Sequence, residues 1–235
     1  MRTIGLIGGM SWESSAEYYR ILNEAARARL GPLRSMQILM YSVDFGPIEA
    51  AQRENRWSDA AQILQDAARR LRAGGADCIV LCTNTMHKVA EAVASSVSTP
   101  FLHIGDPLGQ ACLRGGWRRI GLLGTGFTMR EPFLVDYVRE RYGVEMFVPD
   151  EAQRDLVHRV IYEELCAGVI SDASRRAYVD VIHSLAARGA QAVVLGCTEI
   201  GLLIRDRDSP LPVLDTTHLH AMAAFDFALG ERTSG

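Results

Sequence analysis

Apolar residues along this chain fall into two alternating patterns. Short unbroken runs rich in Ile, Val and Leu, such as Ile4-Gly5-Leu6-Ile7 and Cys78-Ile79-Val80-Leu81, are separated by stretches whose apolar positions recur every three or four residues. The unbroken runs suit strands buried on both faces of a parallel sheet, and the longer stretches suit helices packed on it. The pattern therefore predicts an α/β protein. The first strand is read as Thr3 to Ile7. Ser14 and Glu17 have capping-box spacing for a helix that runs to about Leu30 and stops at Gly31-Pro32. A second helix from about Ser58 places Ala60, Ile63, Leu64, Ala67 and Leu71 on one face, and Gly74-Gly75 ends it. Asp77 to Leu81 follows as a central buried strand.

The second half repeats the first. Ile4-Gly5-Leu6-Ile7-Gly8-Gly9 is matched by Ile120-Gly121-Leu122-Leu123-Gly124-Thr125, and Ala76-Asp77-Cys78-Ile79-Val80-Leu81-Cys82-Thr83 by Ala190-Gln191-Ala192-Val193-Val194-Leu195-Gly196-Cys197. Two matches in the same order, at nearly equal separations, indicate a duplicated unit. The expectation is two pseudo-symmetric lobes, each a mostly parallel sheet flanked by helices, with the active site in the cleft between them. Lobe 1 takes residues 1–104 and 213–235, and lobe 2 takes 105–212. The apolar spacing from His218 to Leu229 predicts a terminal helix that closes lobe 1.

Composition narrows the classes little. Of the 235 residues, 48% are hydrophobic and 23% charged, as in ordinary globular proteins, and a net charge of -3 offers no basic surface for nucleic acid. The N-terminal apolar run is too short for a signal peptide, and no run approaches the ~18 residues of a membrane span. Five cysteines, at 78, 82, 112, 166 and 197, have neither CxxC nor metal-ligand spacing. The expectation is a cytoplasmic protein with reduced thiols, and with no metal.

Ligands in open parallel sheets bind beyond the carboxyl ends of the strands, and there the matched strands are followed by reactive residues. Cys82-Thr83-Asn84-Thr85-Met86-His87 follows one, and Gly196-Cys197-Thr198-Glu199 follows the other. The duplication pairs Thr83 with Cys197, Asn84 with Thr198, and Thr85 with Glu199. Facing positions of this kind suit racemisation, in which a proton leaves one face of a carbon and returns on the other. A helix starting near Thr198 is expected to lower the pKa of the Cys197 thiol. The plainer reading makes Cys197 a small apolar filler and Thr83 the N-cap of a helix from about Thr85. Backbone N–H groups of Gly8-Gly9-Met10-Ser11 and Gly124-Thr125 suit a carboxylate. These glycines lack the GxGxxG pattern of a dinucleotide site.

Three blocks together, Ile4 to Ser14, Leu81-Cys82-Thr83-Asn84-Thr85-Met86-His87-Lys88 and Gly196-Cys197-Thr198-Glu199-Ile200, resemble the aspartate/glutamate racemases. Their superfamily also holds hydantoin racemases, maleate isomerases and arylmalonate decarboxylases. The resemblance implies a homodimer of two-lobed α/β chains that removes the α-proton of an acidic amino acid without pyridoxal phosphate or any other cofactor. It also implies a cysteine in each lobe, within C-N-T and G-C-T motifs. Here Thr83 stands in the first cysteine's place. Cys82 lies one residue early and should point to the opposite face of its strand.

A hydroxyl is far less acidic than a thiol, so Cys197 is expected to be the competent base for one enantiomer and the L-form of aspartate or glutamate to be favoured. Gln52 stands where the family's aspartate racemases carry an arginine for the side-chain carboxylate, and Cys166 where they carry a lysine. The resemblance assigns Asn84, Thr85 and Thr198 to the α-carboxylate, and Met10, Gln52 and Thr125 to positioning the rest of the substrate. Glu199 is assigned to the ammonium, or else pairs with His87 or a helix end. His87 itself reads as a surface or capping residue. Two other readings are an arylmalonate-type decarboxylase using Cys197 alone, and a non-catalytic amino-acid-binding protein.

Overall fold

The apolar runs of the first unit become strands of one parallel sheet. Its elements are β1 (Ile4–Gly8), α1 (Trp12–Leu30), β2 (Ile38–Ser42), α2 (Phe45–Arg53), α3 (Trp57–Ala73), β3 (Cys78–Leu81), α4 (Ala90–Ser95) and β4 (Phe101–Leu102). The strand order is β2-β1-β3-β4. This computed structural model describes residues 1–231; positions 232–235, at the end of the expected lobe 1, lie outside the described residues.

The second unit carries α5 (Gly105–Gly115), β5 (Arg119–Gly124), α6 (Gly126–Arg130), α7 (Phe133–Tyr142), β6 (Glu145–Phe147), α8 (Glu151–Glu163), α9 (Asp172–Ala187), β7 (Ala192–Gly196), α10 (Ile200–Leu203) and β8 (Val213–Asp215). Its sheet is also parallel, in the order β6-β5-β7-β8. Contacts divide the chain into Met1–Ile104 with His220 onward, and Gly105–Leu219. Because β8 pairs with β7, residues 213–215 belong to the second sheet. The last helix, α11 (Thr216–Leu229), begins directly after β8.

The duplication is exact in register at the central pair of each sheet. Ile4 pairs with Cys78 as Ile120 pairs with Ala192, and Ile7 pairs with Leu81 as Leu123 pairs with Leu195. Thr83 and Cys197 therefore leave their sheets at equivalent positions.

Side-chain alternation sorts the first unit's core into two layers. Ile4, Leu6, Cys78, Val80 and Cys82 pack with Tyr18 and Leu22 of α1 and with Phe225 of α11. Ile7, Ile79 and Leu81 pack on the other side with Ile48 of α2 and Leu64 of α3. In the second unit Leu123, Val193 and Leu195 pack with Val157 of α8 and Ile182 of α9. Each fully buried large apolar side chain of this kind contributes about 1.5–3 kcal/mol of transfer free energy.

The start of α1 differs from the expected capping box. Ser11 is the N-cap and its side chain accepts from Ser14 N, so the helix begins three residues before the position read from Ser14 and Glu17. Glu17 instead pairs with Arg20. Ser14 lies in the first turn, where its hydroxyl donates to the Cys82 carbonyl at 3.0 Å and ties α1 to the end of β3.

Candidate active site

In the first unit the site residues gather where β1 and β3 end. The chain leaves β1 through Gly9, whose φ of +98° and approach to the Val43 carbonyl leave no room for a side chain: a Cβ there would lie 2.2 Å from that oxygen. Gly9 N donates to Ser15 Oγ at 2.7 Å, and Ser15 Oγ donates to Ser11 O. The Gly9 amide expected to greet a carboxylate is thus already engaged. Met10, the next residue, is buried in the same apolar cluster as Val43, Ile48 and Met86.

Beyond β3, Thr83 is half-buried and Asn84 buried. A short 3-10 turn, Thr85–Val89, follows, with Asn84 at its N-cap position, so Thr83 is not the cap of a helix at Thr85. Gln52, on α2, is buried and reaches this turn: its Nε2 lies 2.8 Å from the Met86 sulfur. Met10, Gln52, Thr83, Asn84 and Thr85 are therefore all carried by the strand-end segments of one sheet and the helix beside them.

Cys82 cannot stand in for a thiol at position 83. It is fully buried among Ile4, Tyr18 and Phe225, and burial pushes its thiol far above the ordinary range. Cys78 and Cys112 are likewise buried, with thiols pushed up by burial to about 12 and about 11. These three behave as small core residues. Cys166 is exposed, in a 3-10 turn, Leu165–Ala167.

His87 is a buried structural element and not a surface cap, contrary to the expectation. Its Nδ1 lies 2.8 Å from the Thr83 carbonyl, and its Nε2 accepts from Ile104 N at 3.1 Å. A carbonyl only accepts and an amide only donates, so the ring is the neutral tautomer with the proton on Nδ1. Burial, foremost, and then the neighbouring His103 and His220 hold its pKa well below the usual histidine range. His220 is pinned in the same way, between the Tyr18 hydroxyl at 2.9 Å and the Leu102 carbonyl at 2.8 Å. No spacing pattern announces this framework, because its partners are backbone groups brought together by the turn.

In the second unit Gly124 and Gly196 are paired at the ends of β5 and β7, so Thr125 and Cys197 emerge side by side. Thr125 is buried and caps α6, accepting from Thr128 N at 3.3 Å. Gly126 N donates to His158 Nδ1. Cys197 and Thr198 are half-buried, and Glu199 is buried.

The Cys197 thiol donates to Glu199 Oε2 at 2.9 Å. Its pKa is raised well above the ordinary thiol value, first by burial, then by the Glu199 charge and hydrogen bond; the Glu199 backbone N–H works weakly in the opposite direction. The expected lowering by a helix fails for a geometric reason. The helix after Cys197 is the four-residue α10, it starts at Ile200, and a carboxylate rather than Cys197 occupies its N-cap position. Within its own turn Glu199 meets the thiol two residues before it.

Among the described residues no group of three His, Cys, Asp or Glu side chains is placed to hold a metal ion, and no helix is long and apolar enough to cross a membrane.

Two copies of one parallel α/β design, with a hydroxyl at one strand end and a thiol at its equivalent, define a duplicated α/β protein with polar and thiol side chains at its strand ends. Residues 7–224 match the Asp/Glu/Hydantoin racemase family, and the chain belongs to it. It is 49% identical to a candidate Asp/Glu racemase from Yersinia pestis, over 97% of this chain and 100% of that one, with a TM-score of 0.92. It is 31% identical to an aspartate racemase homologue from Pyrococcus horikoshii OT3, over 97% and 100%, with a TM-score of 0.87. The aspartate racemase of Picrophilus torridus, at 20% identity and a TM-score of 0.78 over 99% of this chain and 96% of that one, shares the fold.

Proposed function

We propose that this protein racemises an acidic amino acid, aspartate or glutamate, with the L-form favoured and without a cofactor. The observation that carries the reading is the equivalence of Thr83 and Cys197, each two residues beyond a paired leucine, Leu81 or Leu195, of a central strand whose register repeats in both sheets. Racemisation needs two groups that address opposite faces of the α-carbon. A duplicated unit supplies two such positions from one design.

In this reading Cys197 removes the α-proton of the L-enantiomer and Thr83 passes a proton to the opposite face. A threonine hydroxyl is a poor base, so the reverse direction is slower. Asn84, Thr85 and Thr198 bind the α-carboxylate, whose binding also stabilises the charge that spreads from the α-carbon onto it. Met10, Gln52 and Thr125 position the remainder. Gln52 is neutral, and an amide gives a carboxylate a weaker hydrogen bond than a guanidinium, which suits acceptance of both aspartate and glutamate.

The test is incubation of the purified protein with each enantiomer of aspartate and glutamate, followed by chiral separation. The D-product is expected from at least one L-substrate, faster than the reverse conversion. Absence of the opposite enantiomer from all four substrates overturns the reading.

A further inference from the structure

The thiol that is to act as a base is, at rest, a hydrogen-bond donor. Cys197 Sγ lies 2.9 Å from Glu199 Oε2, and Glu199 is a buried residue with 8% of its surface exposed. A buried carboxylate is costly unless it is partnered, and one of its partners here is the S–H group. We infer that Glu199 is the proton acceptor that converts Cys197 from thiol to thiolate for catalysis, so that the working base is a Cys197–Glu199 pair and not an isolated cysteine. This rests on the racemase reading and deepens it.

Three features support it. The two groups belong to one short turn between β7 and α10, so their contact needs no rearrangement elsewhere. Two other titratable groups of the same unit that bear on the thiol are poorly placed to take its proton: Cys166 is exposed on its own turn and is itself a thiol, and the fully buried Tyr178 hydroxyl donates to the Val157 carbonyl. The absence of a long helix at this point removes the usual alternative means of stabilising a thiolate.

The proton inventory closes. The S–H bond of Cys197 breaks and an O–H bond forms on Glu199 Oε2. The thiolate lone pair then forms a new S–H bond with the α-proton, and the C–H electron pair passes into the substrate's α-carboxylate. Thr83 delivers its hydroxyl proton to the other face and recovers one from water, while Glu199 releases its proton to water. The pair thus holds one proton before the C–H bond breaks and two after it. In the resting pair the transfer from sulfur to oxygen is uphill, so the thiol form dominates until substrate is bound.

The experiment uses the full chain with Glu199→Gln and Glu199→Asp, and reads two quantities. The first is the rate of Cys197 alkylation by iodoacetamide against pH, with the modified cysteine assigned by mass spectrometry. Removing the carboxylate lowers the thiol's pKa, so Glu199→Gln should alkylate at Cys197 several-fold faster than wild type at pH 7.5. The second is the steady-state rate with the best L-substrate. Glu199→Gln should lose about 10²-fold or more in kcat, the range of general acid–base catalysis, with KM little changed. Glu199→Asp should keep part of that activity, because it retains a carboxylate. An unchanged kcat in Glu199→Gln, a rise in KM alone as an ammonium-binding role requires, or an alkylation profile identical to wild type each overturns the inference. If wild type itself racemises none of the substrates, the functional reading fails, while the alkylation profile still reports on the pair.

Discussion

His87 holds Thr83 by its main chain: the imidazole Nδ1 donates to the Thr83 carbonyl at 2.8 Å while Nε2 accepts from Ile104 N. Both ring nitrogens are committed, so a second proton on the ring would face the Ile104 N–H. The rings of His103 and His220 lie 4.6 Å and 5.7 Å away, Phe101 covers another side at 5.8 Å, and the Tyr18 hydroxyl approaches through His220. The segment that carries Thr83 is thus set by a buried, neutral histidine.

The consequence is a stability that falls on mild acidification. The folded pKa of His87 lies below its unfolded value, so below about pH 6.5 the unfolded chain binds a proton that the native state refuses. The stabilisation is complete above that pH and is lost as the pH falls below it, at up to ~1.4 kcal/mol per pH unit. Urea unfolding at pH 5.0, 6.0 and 7.5 should show a steeper loss in wild type than in His87→Gln, which does not titrate. Parallel slopes would remove His87 from the account.

Gly9 is a backbone requirement. A side chain there meets the Val43 carbonyl and a φ of +98°, so Gly9→Ala should destabilise by about 3 kcal/mol or more. Denaturant midpoints test it, and a loss under about 1 kcal/mol would mean that the turn can shift.

In the proposed mechanism Gln52 acts on binding and not on the proton. Gln52→Leu keeps the side chain's size and removes its amide, which sits against the Met86 sulfur beside Thr85. The expected result is a KM raised roughly tenfold with kcat within a factor of about three, as befits one hydrogen bond worth ~1 kcal/mol or a little more. A loss confined to kcat would move Gln52 from binding to chemistry.

Much of the fold was legible because its strands are short, buried on both faces and repeated. Ile4 to Ile7 and Cys78 to Leu81 lack polar interruptions, and their counterparts at Ile120 and Ala192 restate the signal. β2 was not read from the sequence although Ile38-Leu39-Met40-Tyr41 is an apolar run; it is an edge strand, and Met40 and Tyr41 are exposed. α2 was not read from the sequence either; Gly46-Pro47 lies in its first turn, where proline is tolerated, and Asp44 caps it. Thr83, Asn84, Thr85, Cys197, Thr198 and Glu199 were visible by type and position after the matched strands, whereas Gln52, on α2, was singled out only through the family resemblance. Their partners were not: the roles of His87 and Glu199 depend on which atoms a few residues of irregular backbone bring within 3 Å, and neither periodicity nor spacing encodes that.

The most direct test of the central claim is proton NMR of L- and D-aspartate and L- and D-glutamate in D2O with wild type, Cys197→Ala and Thr83→Ala. Wild type should erase the α-proton signal of an L-substrate as deuterium enters and the opposite enantiomer accumulates. Cys197→Ala should abolish both effects for that substrate, and Thr83→Ala should prevent the enantiomer from accumulating. No exchange with any of the four amino acids, or exchange that survives in Cys197→Ala, would contradict the account.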